Sequence, residues 1–421
     1  MGRLAKTLSQ MPPPLQSVGA FTRKGKLFFI NSLEKAPHLS ALLAEIEFVF
    51  KNPQTREVVL YFKERFRPFP NIVTPLACAI EHLRRNGRNV RTIETFDELE
   101  ETSYLTPMAV ASDHPIEASP VGKVWRYETP AEINTLLDST LRFLASRLQW
   151  ERGTLHALEW SLYELLDNVF QHAQVQAGYF MFQIQQERRR LSYCIADQGR
   201  GIYASFSGSR VRPGSPIDAI TLAVQKGVTR DPDSNSGNGL WGASEIVAKS
   251  KGQLTISSGG AALYFNRVTG QSQSIPRVLV LDHLRPGTFI DAQIDASVAV
   301  SMTDMFDHLA SPVDLRLENH EDDTGALRVN LKDMRFGAGT RQSGNFTRAY
   351  VTNLLTQANA QVVLDFDGIG IVSSSFADEL VAKLRSQLGE EVFGKRIRFN
   401  GLNETNNVIV RSVLASRPCD A

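Results

Sequence analysis

The centre of the chain carries three short motifs that decide its fold, in this order: Glu164-Leu165-Leu166-Asp167-Asn168, Asp197-Gln198-Gly199-Arg200-Gly201 and Gly237-Asn238-Gly239-Leu240-Trp241-Gly242. Each motif alone is short enough to occur in many proteins. Their order is more specific, because each motif supplies a different group: a carboxylate beside an amide, a lone carboxylate, and a run of backbone N–H groups.

The first motif lies on a predicted helix over residues 154–173. Apolar residues recur there at helical spacing: Leu155, Leu158, Leu162, Leu165, Val169 and Ala173. Glu164 and Asn168 are four residues apart, so they are neighbours off that apolar stripe. A carboxamide oxygen suits Mg²⁺, and a carboxylate one turn away can accept a proton from a hydroxyl or water. A solvated helix face would carry the same residues, so this motif alone leaves both interpretations open.

The second motif follows a predicted strand over residues 191–197, in which apolar residues alternate with polar or small ones. Ionised Asp197 at the end of this strand can only accept hydrogen bonds. Gly199 and Gly201 allow close backbone approach and positive φ. A simple Asp-Gly turn is the alternative explanation.

The third motif comes just before a predicted helix over residues 240–251. Its glycines leave backbone N–H groups free at a helix N-terminus, which is a good site for phosphate. The polar stretch 227–236 before it is long for a connection and is typical of a mobile lid. A glycine-rich surface loop is the alternative. Further along, Gly287 and Thr288 open another predicted strand.

Taken together, the three motifs and Thr288 resemble the N, G1 and G2 boxes of the GHKL ATPases, the gyrase, heat-shock chaperone, histidine-kinase and MutL type. That family binds ATP and Mg²⁺ in a Bergerat fold. The resemblance implies that Asn168 holds the metal, that Glu164 is the catalytic base, and that Asp197, supported by Thr288, receives the adenine amino group. It implies a nucleotide site made of Asn168, Asp197, Gly199, Gly201, Gly237, Asn238, Gly239, Leu240, Gly242 and Thr288.

Within that family, the segment 164–173 is most similar to bacterial anti-sigma serine kinases, which also have Asn, three residues and then His. Histidine kinases carry a His-acidic acceptor pair, whereas His156 has no acid directly after it, and Gln171 replaces their common lysine. We therefore expect a regulator that couples ATP binding, with slow hydrolysis or serine phosphorylation, to protein–protein switching. A non-catalytic nucleotide-gated scaffold is the alternative, and a histidine-kinase-like protein is a poorer one.

Periodicity divides the chain into six parts and predicts an α+β fold, with a Bergerat-type sandwich between two small α/β domains. The parts are a flexible N-terminus (1–24), an α/β domain (25–95), a linker (96–125), the ATPase domain (126–297), a second linker (298–327) and a second α/β domain (328–421).

The C-terminal part resembles STAS-like domains, through the segments 362–369 and 372–380. In STAS proteins a serine kinase phosphorylates a strand-to-helix turn, and Ser373, Ser374 and Ser375 fall at that turn. A phosphate there would be favoured by the helix N-terminus. A plain serine N-cap is the favoured explanation for any one of these serines, and phosphorylation is the alternative. Residues 25–95 have a similar shape but no serine at the turn, which suggests a degenerate STAS-like domain.

The composition of the chain limits the kinds of partner and cellular compartment that are expected. The 421 residues carry a net charge of only +1, so no nucleic-acid partner is expected. No apolar run reaches the length of a membrane span or a signal peptide. Three scattered cysteines suit a reducing compartment and have no zinc spacing. We expect a cytoplasmic protein with protein partners bound through its flanking domains, and a homodimer remains open.

Overall fold

The computed structural model describes residues 19–93, 95–111, 116, 119–173, 175–207, 209, 211–226, 239–266, 271–276, 287–301, 325–334, 338–357 and 360–416. Over these ranges the chain is a mixed α+β structure with three sheets, and the α+β prediction is confirmed. None of the helices in these ranges is both long and apolar enough to cross a membrane.

The N-terminal unit is a four-stranded sheet with two helices. Its elements are β1 (Phe21–Lys24), β2 (Leu27–Ile30), α1 (Ala36–Phe50), β3 (Glu57–Phe62), α2 (Pro70–Arg85) and β4 (Asn89–Ile93). The strands lie in chain order; β1 and β2 form a hairpin, and β2, β3 and β4 are parallel. Successive right-handed crossovers in one direction place both helices on the same face of the sheet. Buried Val58, Leu60 and Phe62 mark that face.

The central unit is built on an eight-stranded sheet. Its elements are β5 (Met108–Ala109), β6 (Trp125–Tyr127), α3 (Pro130–Arg147), α4 (Thr154–Asn168), β7 (Gly178–Gln185), β8 (Arg190–Asp197), α5 (Pro216–Ala223), α6 (Gly239–Lys249), β9 (Gln253–Ser258), β10 (Ala261–Asn266), β11 (Gln271–Pro276) and β12 (Thr288–Asp295). The order across the sheet is β11-β10-β9-β12-β8-β7-β6-β5, and only β5 and β6 are parallel to each other.

The segment 96–125, predicted as a linker, contains regular structure. It holds the short helix Asp97–Glu100, the strand β5 and the first residue of β6. Backbone hydrogen bonds hold it in place: Val124 N donates to Thr102 O at 2.8 Å, and Met108 N donates to Val124 O at 2.8 Å. Such short elements carry too few residues to show a periodic pattern, which is why the sequence did not indicate them.

Different parts of the chain cover the two faces of the central sheet. On one face Tyr193 and Ile195 pack with the helices of the central unit. On the other face Met181 and Phe289 belong to the core of the N-terminal unit, because α2 packs across β7, β8 and β12. The sequence predicts one helical layer over this sheet; the structure adds α2 as a second.

The helix carrying the first motif ends differently from the prediction. The α-helix α4 stops at Asn168, and Val169–Ala173 form a π-helical turn. The hydroxyl of Tyr127 donates to Leu166 O at 3.2 Å, and its ring packs edge-on against Phe170. In a regular helix Leu166 O would accept from residue 170, so this contact accompanies the change of helix type.

The C-terminal unit is a three-stranded parallel sheet with helices. Its elements are β13 (Leu327–Asn330), α7 (Arg341–Gln357), β14 (Val362–Asp365), α8 (residues 374–388, with a π-helical turn at Asp378–Ala382), the short helix Glu390–Arg396, β15 (Ile397–Asn400) and α9 (Glu404–Ser416). Helix α7 packs against α3 of the central unit. There the buried Asn353 side chain accepts from Trp150 N at 3.0 Å and donates to Leu148 O at 3.0 Å and to Ala145 O.

Candidate functional site

Glu164 and Asn168 lie on α4, which the core orients. Leu158, Leu162 and Leu165 are fully buried beneath the helix, so the two polar residues lie on its partly exposed side. Burial raises the pKa of the Glu164 carboxyl, and the neighbouring Asp167 carboxylate raises it further. A carboxylate with a raised pKa is a better proton acceptor at neutral pH than a free one.

The third motif meets the first at Gly239, the first residue of α6. A Cβ at this position would lie 2.9 Å from Glu164 Oε2 and 3.5 Å from Asn168 Nδ2. A side chain here would displace the Glu164 carboxylate, so the start of α6 lies directly against both side chains. Leu240 packs on the core of the central unit, and Gly242 is buried.

The second motif lies at the end of β8, beside the first strand residue of β12. Asp197 is 5% exposed, and its Oδ1 accepts from Gly199 N at 2.7 Å. Burial raises the pKa of Asp197 to about 7, although the backbone N–H groups of Gly199 and Thr288 counteract the rise. Thr288 pairs with Asp197 across the two strands, so the structure brings these two predicted site residues together.

Glycines also join the second motif to its surroundings. A Cβ on Gly199 would lie 2.4 Å from the Ala173 Cβ in the π-helical turn, and one on Gly287 would lie 2.2 Å from Asp197 O. Gly201 has φ +74°, in the left-handed region that favours glycine. These contacts bring the ends of α4, β8 and β12 together at one edge of the central sheet.

Ser258 was not predicted from the sequence. It links the end of β9 to the start of β12 and to the segment after the second motif. Its Oγ accepts from Ile202 N at 2.9 Å, donates to Gly287 O at 3.0 Å and lies 3.3 Å from Thr288 Oγ1. It thereby holds the start of the short helix Gly201–Ser205 against the first residues of β12. A single serine at the end of a strand carries no motif, so the sequence offered no signal for it.

Some predicted residues cannot be placed. Gly237 and Asn238 of the third motif, and the predicted lid at 227–236, lie outside the described residues, as do 1–18 and 302–324. Within the described residues, no three His, Cys, Asp or Glu side chains form a metal site. Of the three cysteines, Cys78 and Cys194 are buried and free.

Asn168 provides a test of the predicted cofactor. Its Nδ2 is buried and has no hydrogen-bond partner among the described residues. An unpaired buried amide costs stability unless something binds there. The unpaired atom is an N–H donor, so it fits a phosphate oxygen as its partner. Mg²⁺ would be held by Oδ1 of the same amide, since this ion needs only one or two protein oxygens when phosphate oxygens and waters supply the rest.

The three serines of the C-terminal unit differ in their environments. Ser373 is the N-cap of α8: its Oγ accepts from Phe376 N at 3.0 Å and lies 3.1 Å from Ser375 Oγ. Ser374 is exposed. The capping interpretation thus describes Ser373, and Ser374 presents the most accessible hydroxyl of the three.

Comparison with known families identifies the C-terminal unit. A family model described as a STAS-like domain of unknown function (DUF4325) matches residues 348–407. The region is therefore STAS-like, as its sequence predicts. The match includes α8 and the three serines. No curated protein sequence matches the chain.

Proposed function

We propose that residues 126–297 form a GHKL-type module with a Bergerat fold that binds ATP and Mg²⁺. The observation that supports it is the meeting of three sequence-distant motifs at one edge of the sheet, with Gly239 against Glu164 and Asn168 and with Asp197 paired to Thr288. The resemblance implies such a meeting, whereas unrelated motifs would have no reason to lie together.

In this proposal each residue has a defined task. Asp197 accepts a hydrogen bond from the adenine amino group at the buried end of the site, and Ser258 and Thr288 keep its loop in place. The amide of Asn168 holds the metal, and N–H groups at the start of α6 receive phosphate. Bound ATP supplies the phosphoanhydride bond that is broken. Glu164 accepts the proton of the attacking water or serine hydroxyl.

A titration with a fluorescent ATP analogue tests the binding site. We expect Asp197→Asn to weaken binding by about tenfold or more, because one of the two acceptor oxygens is replaced by an NH2 donor. Asn168→Ala should remove the dependence on Mg²⁺. Asp291→Asn is a matched control, since Asp291 lies on the opposite face of the same sheet. Equal affinity of wild type and Asp197→Asn would refute the site.

Phosphate release separates an enzyme from a nucleotide-gated scaffold. Wild type should release phosphate slowly, and Glu164→Gln should lose at least about 100-fold in rate while binding the analogue normally. Glu159→Gln on the same helix serves as the control. Binding without release by wild type would favour the scaffold, for which the packing of α7 on α3 is the relevant observation.

We further propose that the nucleotide state controls interactions of the STAS-like unit with protein partners in the cytoplasm. Its turn at 373–375 is the candidate acceptor if the module is a serine kinase, with Ser374 as the accessible hydroxyl and Ser373 as a cap. Incubation with ATP and Mg²⁺ followed by peptide mapping tests this. If ATP is consumed while residues 362–380 stay unmodified, the unit only binds its partner.

A further inference from the structure

The N-terminal unit carries a strong positive charge that the chain average conceals. Residues 19–95 contain 13 lysines and arginines against 7 glutamates and no aspartate, a net charge of +6, whereas the whole chain has +1. The expectation of no nucleic-acid partner rested on that average. A charge excess confined to one unit indicates an anionic partner for that unit.

One face of the N-terminal sheet is uncovered among the described residues. Alternate side chains of β2 and β3, namely Leu27, Phe29, Val59 and Tyr61, point away from α1 and α2 and lie outside the hydrophobic core. They are partly exposed. We call these four residues the open face. Ile93 of β4 pairs with Tyr61 beside it and is 36% exposed.

Two aromatic rings occupy the middle of the open face. Phe29 and Tyr61 are direct partners on neighbouring strands, with ring centroids 5.5 Å apart. Aromatic rings on adjacent central strands of a four-stranded sheet offer a surface on which unpaired bases can stack. The rings are held by the backbone register and not by a loop, so their positions are fixed before a ligand binds.

Lysines flank these rings. Lys63 Nζ lies 5.2 Å and Lys24 Nζ 6.0 Å from the centroid of Phe29. Both side chains are long enough to swing from the ring toward a phosphate while the ring accepts a base. Arg91 is on the same side, but its Nε lies 3.7 Å from Glu57 Oε1, so this cation is paired within the unit.

We propose that the open face binds single-stranded nucleic acid, with bases stacked on Phe29 and Tyr61 and phosphates held by Lys24 and Lys63. A duplex does not fit, because its bases are already stacked on one another and are not free to stack on the rings. A second copy of the chain fits poorly, since the lysines of two open faces would meet.

Fluorescence anisotropy of the full chain with labelled oligothymidylate and oligouridylate of about 12 nucleotides tests the proposal. Binding should weaken as salt rises. Phe29→Leu and Tyr61→Leu, which keep the face apolar, should each lower the affinity about fivefold or more. Lys24→Gln with Lys63→Gln should lower it and flatten the salt dependence. Lys35→Gln with Lys51→Gln removes equal charge elsewhere in the unit and should change the affinity much less.

Several results would overturn the proposal. These are the absence of binding to either oligomer at low salt, equal binding of a duplex of the same length, and equal loss in the two lysine pairs. Light scattering supplies another: a dimer that Phe29→Leu dissociates would assign the face to self-association. The two oligomers distinguish DNA from RNA as the ligand, and thermal melting verifies that each variant is folded.

Discussion

The N-terminal and C-terminal units both pack against the central unit, but through different chemistry. The N-terminal unit shares one continuous apolar core with the back of the central sheet, including Met181 and Phe289. The C-terminal unit meets α3 through α7, where Ala145 of α3 joins the C-terminal core and Asn353 makes three hydrogen bonds to backbone groups of residues 145–150. An apolar core resists separation, whereas a polar contact can be exchanged for water at modest cost. If nucleotide binding moves one unit, we expect it to be the C-terminal one.

The acidic residues of the two regions differ in the direction of their pKa shifts. At the N-terminal interface, burial raises the pKa of Asp291 to about 7. In the C-terminal unit, burial also acts on Glu379, but hydrogen bonds and charges from Lys383 and Arg348 outweigh it and lower its pKa. The pKa of Asp365 is lowered in the same way, because hydrogen bonds from Arg328 and Asn400 outweigh the effect of burial. The two regions should therefore respond to pH in opposite directions.

The largest expected effect comes from Met181→Ala, which tests whether the N-terminal and central units unfold together. Met181 lies on β7 and is fully buried against the core of the N-terminal unit. Its truncation should therefore lower the free energy of unfolding by about 3 kcal/mol. Calorimetry should show one shared transition moving to lower temperature. Leu384→Ala, also fully buried but in the C-terminal core, should shift a different transition. Two separate transitions for the N-terminal and central units would contradict the shared core.

The second prediction tests the hydrogen bonds that Asn353 makes between α7 and residues 145–150. Asn353→Ala leaves Trp150 N and the carbonyls of Ala145 and Leu148 without this partner, at a cost of about 2 kcal/mol. Hydrogen exchange should speed up in residues 145–150 and along α7, while β7 and β8 stay protected. Thr356→Ala is the control, because Thr356 lies on the same helix and is exposed. Faster exchange in the central strands would show that the C-terminal unit is integral to the central core.

The third prediction compares how the stability of the two regions depends on pH. The pKa of Asp291 is about 7 in the folded chain against an ordinary value of 3.8, so its stabilising contribution is present below pH 4 and is lost as pH rises to 7. Asp291→Asn should therefore gain stability relative to wild type as pH rises from 4 to 7. The difference between the two pKa values corresponds to at most about 4 kcal/mol; because Asp291 is partly exposed, solvent screening reduces the expected gain above pH 7 to about 1–2 kcal/mol. Glu379→Gln should instead lose stability at pH 7, and the difference from wild type should shrink as pH falls below 4.5 through the lowered pKa of the folded state. Urea unfolding at several pH values measures both; a flat difference for Asp291→Asn would contradict the prediction.

Much of this architecture could be predicted from sequence, because its elements carry periodic signals. The apolar run before Lys63 predicts β3, and Ser215 caps α5 as its Ser-Pro-x-Asp pattern indicates, accepting from Asp218 N at 3.3 Å. The motif residues were found because each has a distinctive chemical type at a distinctive spacing.

The packing of the elements against one another was harder to predict from the sequence. Helix α2 is buried at every position from 72 to 80, a pattern of burial on both sides that follows from its place between two sheets. Its uninterrupted small and apolar residues were the available signal. Ser258 and Asn353 act through backbone groups far away in sequence, and no local pattern marks such partners.

The smallest effect tests the C-terminal unit where its helix α8 begins. Ser373→Ala removes the cap on Phe376 N and should lower the free energy of unfolding of this unit by about 1 kcal/mol. Ser374→Ala changes an exposed first-turn residue and should lie within about 0.5 kcal/mol of wild type. The transition of the N-terminal and central units should move in neither variant, since the cap bonds within the C-terminal unit. If Ser374→Ala destabilises as much as Ser373→Ala, the hydroxyl of Ser374 is structural, and it is no longer the best candidate for modification.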